Sequence, residues 1–208
     1  MAIETPSFDI EDGIPGLIAG IDEAGRGPLA GPVVAAAVVL DPANMPAGLR
    51  DSKTLSEKRR TEIAAEIWKT SEVGVGVASV DEIDEINILQ ATLMAMSRAA
   101  ANLPVRPAAC IVDGNIKPKL RAPAYTVVKG DAKSFSIAAA SIIAKTTRDR
   151  MMRELAREFP HYGWEKNKGY GAPAHKEALA IYGVTPHHRK SFAPIHNILY
   201  ADKLAVLC

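Results

Sequence analysis

The chain has 208 residues, of which 48% are apolar and 24% are charged, so it can form a core and is not globally disordered. Its formal net charge of +1 hides a division along the chain. Residues 1–113 carry 9 basic and 17 acidic side chains, whereas residues 114–191 carry 15 basic and 6 acidic ones. This asymmetry suggests an anionic polymer as partner, although charges scattered over solvated faces would also account for it.

Several function classes lack their signatures in this sequence. Cys110 and Cys208 are far apart and form no C-x-x-C pair, so no zinc-ribbon or redox motif is present, and Cys110 has the apolar neighbours of a core residue. The first 13 residues are polar and acidic, unlike a signal peptide. No apolar run approaches the roughly 20 residues of a membrane span. We therefore expect a cytoplasmic monomer that does not contact a membrane.

Apolar runs predict the secondary structure in chain order. Residues 1–16 lack periodicity and are predicted to be a flexible lead-in. Five strands are predicted, at 17–22, 33–40, 72–80, 108–112 and 124–128. Helices are predicted at 56–70, with Thr54 or Ser56 as the cap, at 89–100 after an acidic and partly helical turn at 81–87, and at 132–158. Two more follow, one between Pro173 and Gly183 and one at 195–207.

These elements predict an α/β layered domain. The short link between the first two strands favours an antiparallel pair, and the later alternation of strands and helices favours parallel pairing, which together give a mixed sheet. We divide the chain into the lead-in at 1–16, a core at 17–160 and a C-terminal helical appendage at 161–208.

Four acidic residues lie at or just beyond the C-terminal ends of predicted strands: Asp22, Glu23, Asp113 and Asp131. Ligands of open α/β sheets bind at this edge. Carboxylates that converge there repel one another unless cations neutralise them, and a pair of Mg²⁺ or Mn²⁺ ions would do so and would support phosphodiester hydrolysis. Taken singly, Asp113 with Gly114 is also typical of a turn, and Asp131 of a helix cap.

Asp22 and Glu23 pose a geometric difficulty, because adjacent residues of a strand point to opposite faces. Either the strand has ended there or one of the two contributes through its carbonyl. The turn that follows, Gly25-Arg26-Gly27, would let backbone and guanidinium approach a phosphate or a sugar closely. It does not complete a P-loop, and the five histidines show no metal-ligand spacing.

Motifs across residues 17–193 resemble those of the ribonuclease HII family, the bacterial type 2 ribonucleases H. The longest of them runs from Ile21 to Val33 and contains both the acidic pair and the glycine-flanked arginine. The others, in the family's order, are Asp51-Ser52-Lys53, Glu85–Leu89, Ile111–Gly114, Lys129–Lys133, Ser136–Ile142, Lys168–Gly171 and His187–Phe192.

The resemblance implies an RNase H-like fold, a mixed five-stranded sheet flanked by helices with a C-terminal helical appendage. It implies an endonuclease that cuts the RNA strand of RNA–DNA hybrids and single ribonucleotides within duplex DNA, and that leaves 5′-phosphate and 3′-hydroxyl ends by a two-metal mechanism with Mn²⁺ or Mg²⁺. Asp131 and the lack of a long substrate-binding extension before the first strand favour HII over the sibling HIII.

The resemblance also assigns site residues. Asp22, Glu23, Asp113 and Asp131 match the metal-binding and catalytic acids. Gly25, Arg26 and Gly27 match the loop that senses the ribose 2′-hydroxyl, and Tyr170 matches the tyrosine that packs on the neighbouring sugar. Lys53, Lys133, Arg189 and Lys190 are expected to contact phosphates, although each lysine would be equally ordinary as a solvated residue.

Two other functions remain open at this stage. A non-catalytic duplex-binding module could use the basic half of the chain alone, and it would bind without turnover and with a steep salt dependence. A DNA recombination nuclease on the same fold would instead cleave duplexes that contain no ribose.

Overall fold

The computed structural model describes residues 5–205, with side chains as far as Tyr200. Its centre is a five-stranded sheet of order β3-β2-β1-β4-β5. The strands are β1 (Ile18–Ala24), β2 (Val33–Val39), β3 (Glu72–Ala78), β4 (Ala109–Asp113) and β5 (Ala124–Val127). β1 is antiparallel to β2, and β2 to β3, whereas β4 is parallel to both β1 and β5. The predicted mixed sheet is confirmed.

Seven helices accompany the sheet in residues 5–205. They are α1 (Asp9–Asp12), α2 (Glu57–Thr70), α3 (Val80–Ala101), α4 (Phe135–Glu158), α5 (Trp164–Asn167), α6 (Pro173–Tyr182) and α7 (Ala193–Ala205). α3 packs on one face of the sheet, and α4 with α2 packs on the other. A further apolar cluster joins the end of α4 to α5, α6 and the start of α7, so the C-terminal helices are packed on the core.

The five predicted strands are confirmed, with ends that differ by one or two residues. Ser56 rather than Thr54 caps α2, since its hydroxyl accepts a hydrogen bond from the Arg59 amide. The acidic segment 81–87, predicted to be a partly helical turn, forms the first part of α3, which bends at Asn87 (φ 68°). The Asn87 side-chain oxygen accepts hydrogen bonds from the Leu89 and Gln90 amides, so Asn87 caps the second part of the helix.

The long helix predicted from residue 132 begins at Phe135, because Ser134 caps it and a short 3₁₀ turn (Gly130–Ala132) precedes it. Asp131 lies inside that turn, so its interpretation as a helix cap is wrong. The predicted end of the last helix, at residues 206 and 207, lies outside the described residues, as does Cys208. Cys110 is buried as predicted, and burial raises the pKa of its thiol to about 11.

The N-terminal segment from residue 5 is packed against the domain, which differs from the flexible lead-in that the sequence predicted. Ser7 pairs with Ser134 as an isolated β-bridge. The buried carboxylate of Glu11 accepts hydrogen bonds from the Ser134 hydroxyl at 2.7 Å and the Ser136 amide at 3.1 Å. These bonds satisfy free donors at the N-terminus of α4, where the helix dipole favours negative charge.

No helix within the described part of the chain has both the length and the apolarity that crossing a membrane would require.

The close approach of β1 to α4 gives a test of the packing. A Cβ added at Gly20 would lie 2.1 Å from the Ser136 carbonyl carbon, a backbone atom that cannot move aside. We expect Gly20→Ala to lower the free energy of unfolding by about 1–3 kcal/mol, the usual range for overpacking. Urea unfolding would measure it, with Gly13→Ala as a control because its nearest contact is 3.5 Å. Equal stability of the two variants would contradict this packing.

Candidate active site

The pairing of β1 with β4 brings the predicted acids to one edge of the sheet. Ile21 is in register with Val112, so the next residues, Asp22 and Asp113, lie side by side. Asp131 follows β5 in the adjacent 3₁₀ turn. Asp22, Glu23 and Asp113 line one pocket of about 520 Å³, together with the Gly25–Gly27 turn, Lys53 and Tyr170. Folding thus gathers residues that are more than 100 positions apart in sequence.

Asp22 and Glu23 reach this edge from opposite faces of β1, which continues to Ala24. Asp22 is on the face of Gly20, which meets α4, whereas Glu23 is on the face of Ile21, which packs with α3. The alternative that the strand ends before Glu23 is therefore wrong. Glu23 also lines a small cavity of about 90 Å³ that it shares with Asp113 and residues of α3.

The acids destabilise one another's charged forms. Burial raises the pKa of Asp22 well above its usual range, and Glu23 and Asp113 raise it further. Burial also raises the pKa of Glu23, against the opposing effect of Arg26 at 3.4 Å. The pKa of Asp113 is raised by burial, although its Oδ1 accepts a 2.6 Å hydrogen bond from the Gly130 amide.

Cationic side chains contact only some of the four acids. Lys53 Nζ lies 3.1 Å from Asp131 Oδ2, and although partial burial opposes it, this bond raises the pKa of Lys53. Within residues 5–200 no lysine or arginine forms an ion pair with Asp22 or Asp113. Buried carboxylates without a cation are unfavourable, and they are the hard oxygen donors that Mg²⁺ and Mn²⁺ prefer. The residues present therefore fit a divalent cation.

The carboxylates do not form a closed ligand shell as they stand. No three acidic, histidine or cysteine side chains within the described ranges are gathered tightly enough to hold an ion by themselves. Magnesium sites of nucleotide-processing enzymes are commonly of this open kind, since one or two carboxylates bind the ion and water or substrate phosphate supplies the other ligands.

Two buried arginines shape the glycine-flanked turn. Arg148 of α4 and Arg189 are almost completely buried, and their guanidinium groups bond to backbone carbonyls around the turn. A Cβ at Gly25 (φ 99°) would lie 1.9 Å from Arg148 Nε, so this glycine leaves room for an arginine of the same chain. At Gly27 a Cβ would lie 3.5 Å from the Tyr170 ring, which is an ordinary contact.

The other predicted contact residues divide into exposed and buried ones. Lys53, Lys133 and Lys190 are exposed, and the Tyr170 side chain is half exposed beside the pocket. Arg189 is fully buried and bonds only to carbonyls, so its interpretation as a surface phosphate contact is wrong. Its neighbour Lys190 donates its backbone amide to Asp84, which holds this segment against α3.

A pair of buried histidines positions the Tyr170 segment. His175 Nδ1 donates to the Tyr170 carbonyl at 2.8 Å, so its Nε2 is an acceptor, which receives Trp164 Nε1–H at 3.2 Å and His188 Nε2–H at 3.0 Å. His188 Nδ1 in turn accepts from the Thr185 amide at 3.0 Å. The accepting Nε2 requires a neutral His175, and the accepting Nδ1 requires a neutral His188, so the bonds taken together need both imidazoles to be neutral.

The sequence reasoning missed Arg148 and this histidine pair. Arg148 falls four residues before Met152 on the buried face of α4, so helical periodicity could have indicated that it points inward. No local signal distinguishes His175 and His188 from surface histidines.

Comparisons with known proteins assign the chain to a family. The family model for ribonuclease HII matches residues 19–195. The chain belongs to the ribonuclease HII family. It is 60% identical over 185 residues to the ribonuclease HII of Magnetococcus marinus, covering 88% of this chain and 87% of the relative. It is 57% identical over 190 residues to the ribonuclease HII of Rhizorhabdus wittichii, and the match covers 91% of this chain and 94% of the relative.

A solved structure supports the same assignment. The ribonuclease H2 of Pyrococcus horikoshii superposes with a TM-score of 0.75 at 30% identity and covers 89% of this chain and 98% of its own. As a member of the ribonuclease HII family, the chain is a metal-dependent ribonuclease H that acts on RNA–DNA hybrids.

The raised pKa of Asp22 predicts that removal of its charge changes the stability of the metal-free protein. Because the folded pKa of Asp22 lies above its unfolded value, its ionisation opposes folding as the pH rises through the folded pKa. We expect Asp22→Asn to raise the unfolding midpoint of the metal-free protein at pH 7.5, with a gain that vanishes near pH 4. Added Mn²⁺ should stabilise the wild type more than the variant. Calorimetry with and without Mn²⁺ measures both effects, and a lower metal-free midpoint for the variant would contradict the electrostatics.

The histidine pair predicts a pH dependence of the opposite sign. Burial and the neighbouring His175 lower the pKa of His188 to about 4, below the unfolded value. Its contribution to stability is therefore present above about pH 6.5 and lost as the pH falls toward 4. We expect His188→Asn to lower the free energy of unfolding by about 1–3 kcal/mol at pH 7.5 through the lost buried hydrogen bonds, and by less at pH 4.5. A difference that does not depend on pH, measured by urea unfolding, would contradict the neutral pairing.

Proposed function

We propose that this protein cleaves the RNA strand of hybrids and also cuts at single ribonucleotides embedded in duplex DNA, leaving 5′-phosphate and 3′-hydroxyl ends. The observation that carries the proposal is one pocket in which buried carboxylates with raised pKa values adjoin a turn that can approach a sugar. The acids would serve the phosphodiester, and the turn would distinguish the sugar.

The four acids share one task in this proposal, which is to bind the metal ions. Asp22, Glu23, Asp113 and Asp131 would hold two divalent cations, Mn²⁺ or Mg²⁺, which would supply activation of the attacking water and stabilisation of the leaving 3′-oxygen. Lys53 keeps the Asp131 carboxylate in a fixed orientation through its 3.1 Å contact. The Gly130 amide does the same for Asp113.

The neighbouring segments would select the substrate. Only RNA offers a 2′-hydroxyl, and reading it requires donors or acceptors within hydrogen-bond reach in the minor groove. The Gly25–Gly27 turn borders the acids and carries the half-exposed Arg26 side chain. The Tyr170 ring lies beside Gly27 and is open on its outer side, so it can pack against an adjacent sugar. Lys53, Lys133 and Lys190 would contact phosphates, which position the duplex without reading its sequence.

The alternative of a non-catalytic duplex-binding module fits the site less well. Phosphate groups near Asp22 and Asp113 would be repelled by two buried carboxylates that no cationic side chain within residues 5–200 neutralises by direct contact. A binding protein would gain nothing from this arrangement. A nuclease that requires divalent cations uses it directly, because the metal ions reverse the local charge.

Cleavage assays on three duplexes test the proposal. We expect the wild type with Mn²⁺ or Mg²⁺ to cut a uniform RNA–DNA hybrid and a DNA duplex that contains one ribonucleotide, and to leave an all-DNA duplex intact. Removal of divalent cations by EDTA should abolish cleavage. Asp22→Asn should reduce kcat by about 10²-fold or more, in line with the loss of one preorganised electrostatic group.

The outcomes separate the candidate functions. Retention of wild-type activity by Asp22→Asn would refute the catalytic role of the acids. Cleavage of the all-DNA duplex would favour a recombination nuclease on the same fold, and metal-independent binding without turnover would favour a binding module. Analysis of the termini with a phosphatase and a ligase would confirm or contradict the 5′-phosphate and 3′-hydroxyl ends.

A further inference from the structure

Arg148 connects two segments that are distant in sequence. Its Nε–H donates to the Pro32 carbonyl at 2.9 Å, one terminal nitrogen donates to the Ala30 carbonyl at 3.1 Å, and the other donates to the Lys168 carbonyl at 3.0 Å. One guanidinium therefore bonds both to the chain that leaves the glycine-flanked turn and to the loop that carries Tyr170.

Arg189 adds further bonds to the same region of the chain. Its guanidinium donates to the carbonyls of Gly25 at 2.6 Å, Arg26 at 2.9 Å and Gly31 at 3.0 Å. The first two are residues of the turn itself. Backbone bonds continue the connection, since the Leu29 amide donates to Gly169 at 2.8 Å and the Arg189 amide donates to Leu29 at 2.9 Å.

These guanidinium groups are unusual because no carboxylate among residues 5–200 forms an ion pair with either. Both side chains are at most 1% exposed, and their hydrogen bonds within residues 5–200 all go to backbone carbonyls. Burial of two neighbouring cations is costly, whereas apolar side chains could fill the same volume at lower electrostatic cost. What the arginines supply, and apolar side chains cannot, is a fixed geometry for the carbonyls that they bond.

We propose that Arg148 is a positioning residue that determines specificity: together with Arg189 it makes the Gly25–Gly27 turn and the Tyr170 loop one rigid unit. This inference rests on the proposed function, in which the turn and Tyr170 read neighbouring sugars. Because Arg189 holds the turn and Arg148 joins the chain that leaves it to the Tyr170 loop, a single ribose in DNA is recognised in one register only.

The two substrates depend differently on this positioning. A uniform hybrid offers a ribose at every nucleotide of its RNA strand. A turn and a Tyr170 loop that are less firmly held together can therefore still bind it in a productive register. A duplex with one ribonucleotide offers one productive register, and misplacement of about 1 Å can cost on the order of 10²-fold in rate. Loss of Arg148 should therefore reduce cleavage at a single ribonucleotide more than cleavage of a uniform hybrid.

The experiment compares Arg148→Met, Arg148→Lys and the control Arg150→Met. Methionine retains the length of the side chain without its donors, and lysine restores the charge without the planar group that reaches three carbonyls. Arg150 lies on the same helix, is exposed and is not part of the proposed site. The kcat and KM of each folded variant are measured on both substrates, and hydrogen–deuterium exchange is followed over residues 25–32 and 168–171.

We expect Arg148→Met to lower kcat at the single ribonucleotide at least about tenfold more than on the uniform hybrid, with a smaller change in KM, and Arg148→Lys to have an intermediate effect. Exchange should rise in both segments in Arg148→Met and in neither in Arg150→Met. If Arg148→Met does not fold, the kinetics and exchange of Arg148→Lys decide the question in the same way.

Equal losses on the two substrates, or faster exchange in only one segment, would overturn the inference, because a purely structural role lowers both activities together. A wild type that cuts neither substrate would instead contradict the proposed function. In that case the exchange measurement still decides whether Arg148 joins the two segments.

Discussion

The parallel pairing of β1 with β4 is the constraint on which the site depends. It places Asp22 beside Asp113 at the carboxyl edge of the sheet, and burial then disfavours the charge of both. The hydrogen bonds of the sheet and the apolar clusters on its two faces hold these residues together against their repulsion. A divalent cation relieves that repulsion, so the strain in the folded protein and its affinity for metal have the same origin.

Positive charge is distributed to leave this edge negative. The nearest cations, Lys53 and Arg26, contact Asp131 and Glu23 from the solvent side. The two buried arginines donate to backbone carbonyls, including those of Gly25 and Lys168, rather than to the acids. Among residues 5–200, Asp22 and Asp113 are therefore left without a direct ion pair to a cationic side chain.

Much of this fold is predictable from the sequence, because strands buried on both faces produce continuous apolar runs such as Val33–Val39. The four acids were predicted because they follow such runs. The role of Arg189 was not, because a basic residue next to Lys190 has the sequence appearance of a surface charge. Its burial depends on carbonyls that lie more than 150 residues earlier in the chain, and no local pattern reports such contacts.

At the glycine-flanked turn, the structure gives a different reason for one glycine from the one that the sequence suggested. The sequence suggested that Gly25 leaves space for a substrate, whereas in the structure that space is occupied by Arg148. The turn is thus shaped from inside the protein before any nucleic acid arrives. In the proposed function, this preorganisation would lower the entropy lost on binding a sugar.

The most direct test of the account is a crystal structure with Mn²⁺ and a duplex whose single ribonucleotide adjoins a non-hydrolysable phosphodiester. Anomalous scattering would locate the metal independently of the protein atoms. The account predicts manganese bound to Asp22 and Asp113, with the ribose 2′-hydroxyl facing the Gly25–Gly27 turn. Manganese bound elsewhere, or a ribose turned away from that turn, would contradict it.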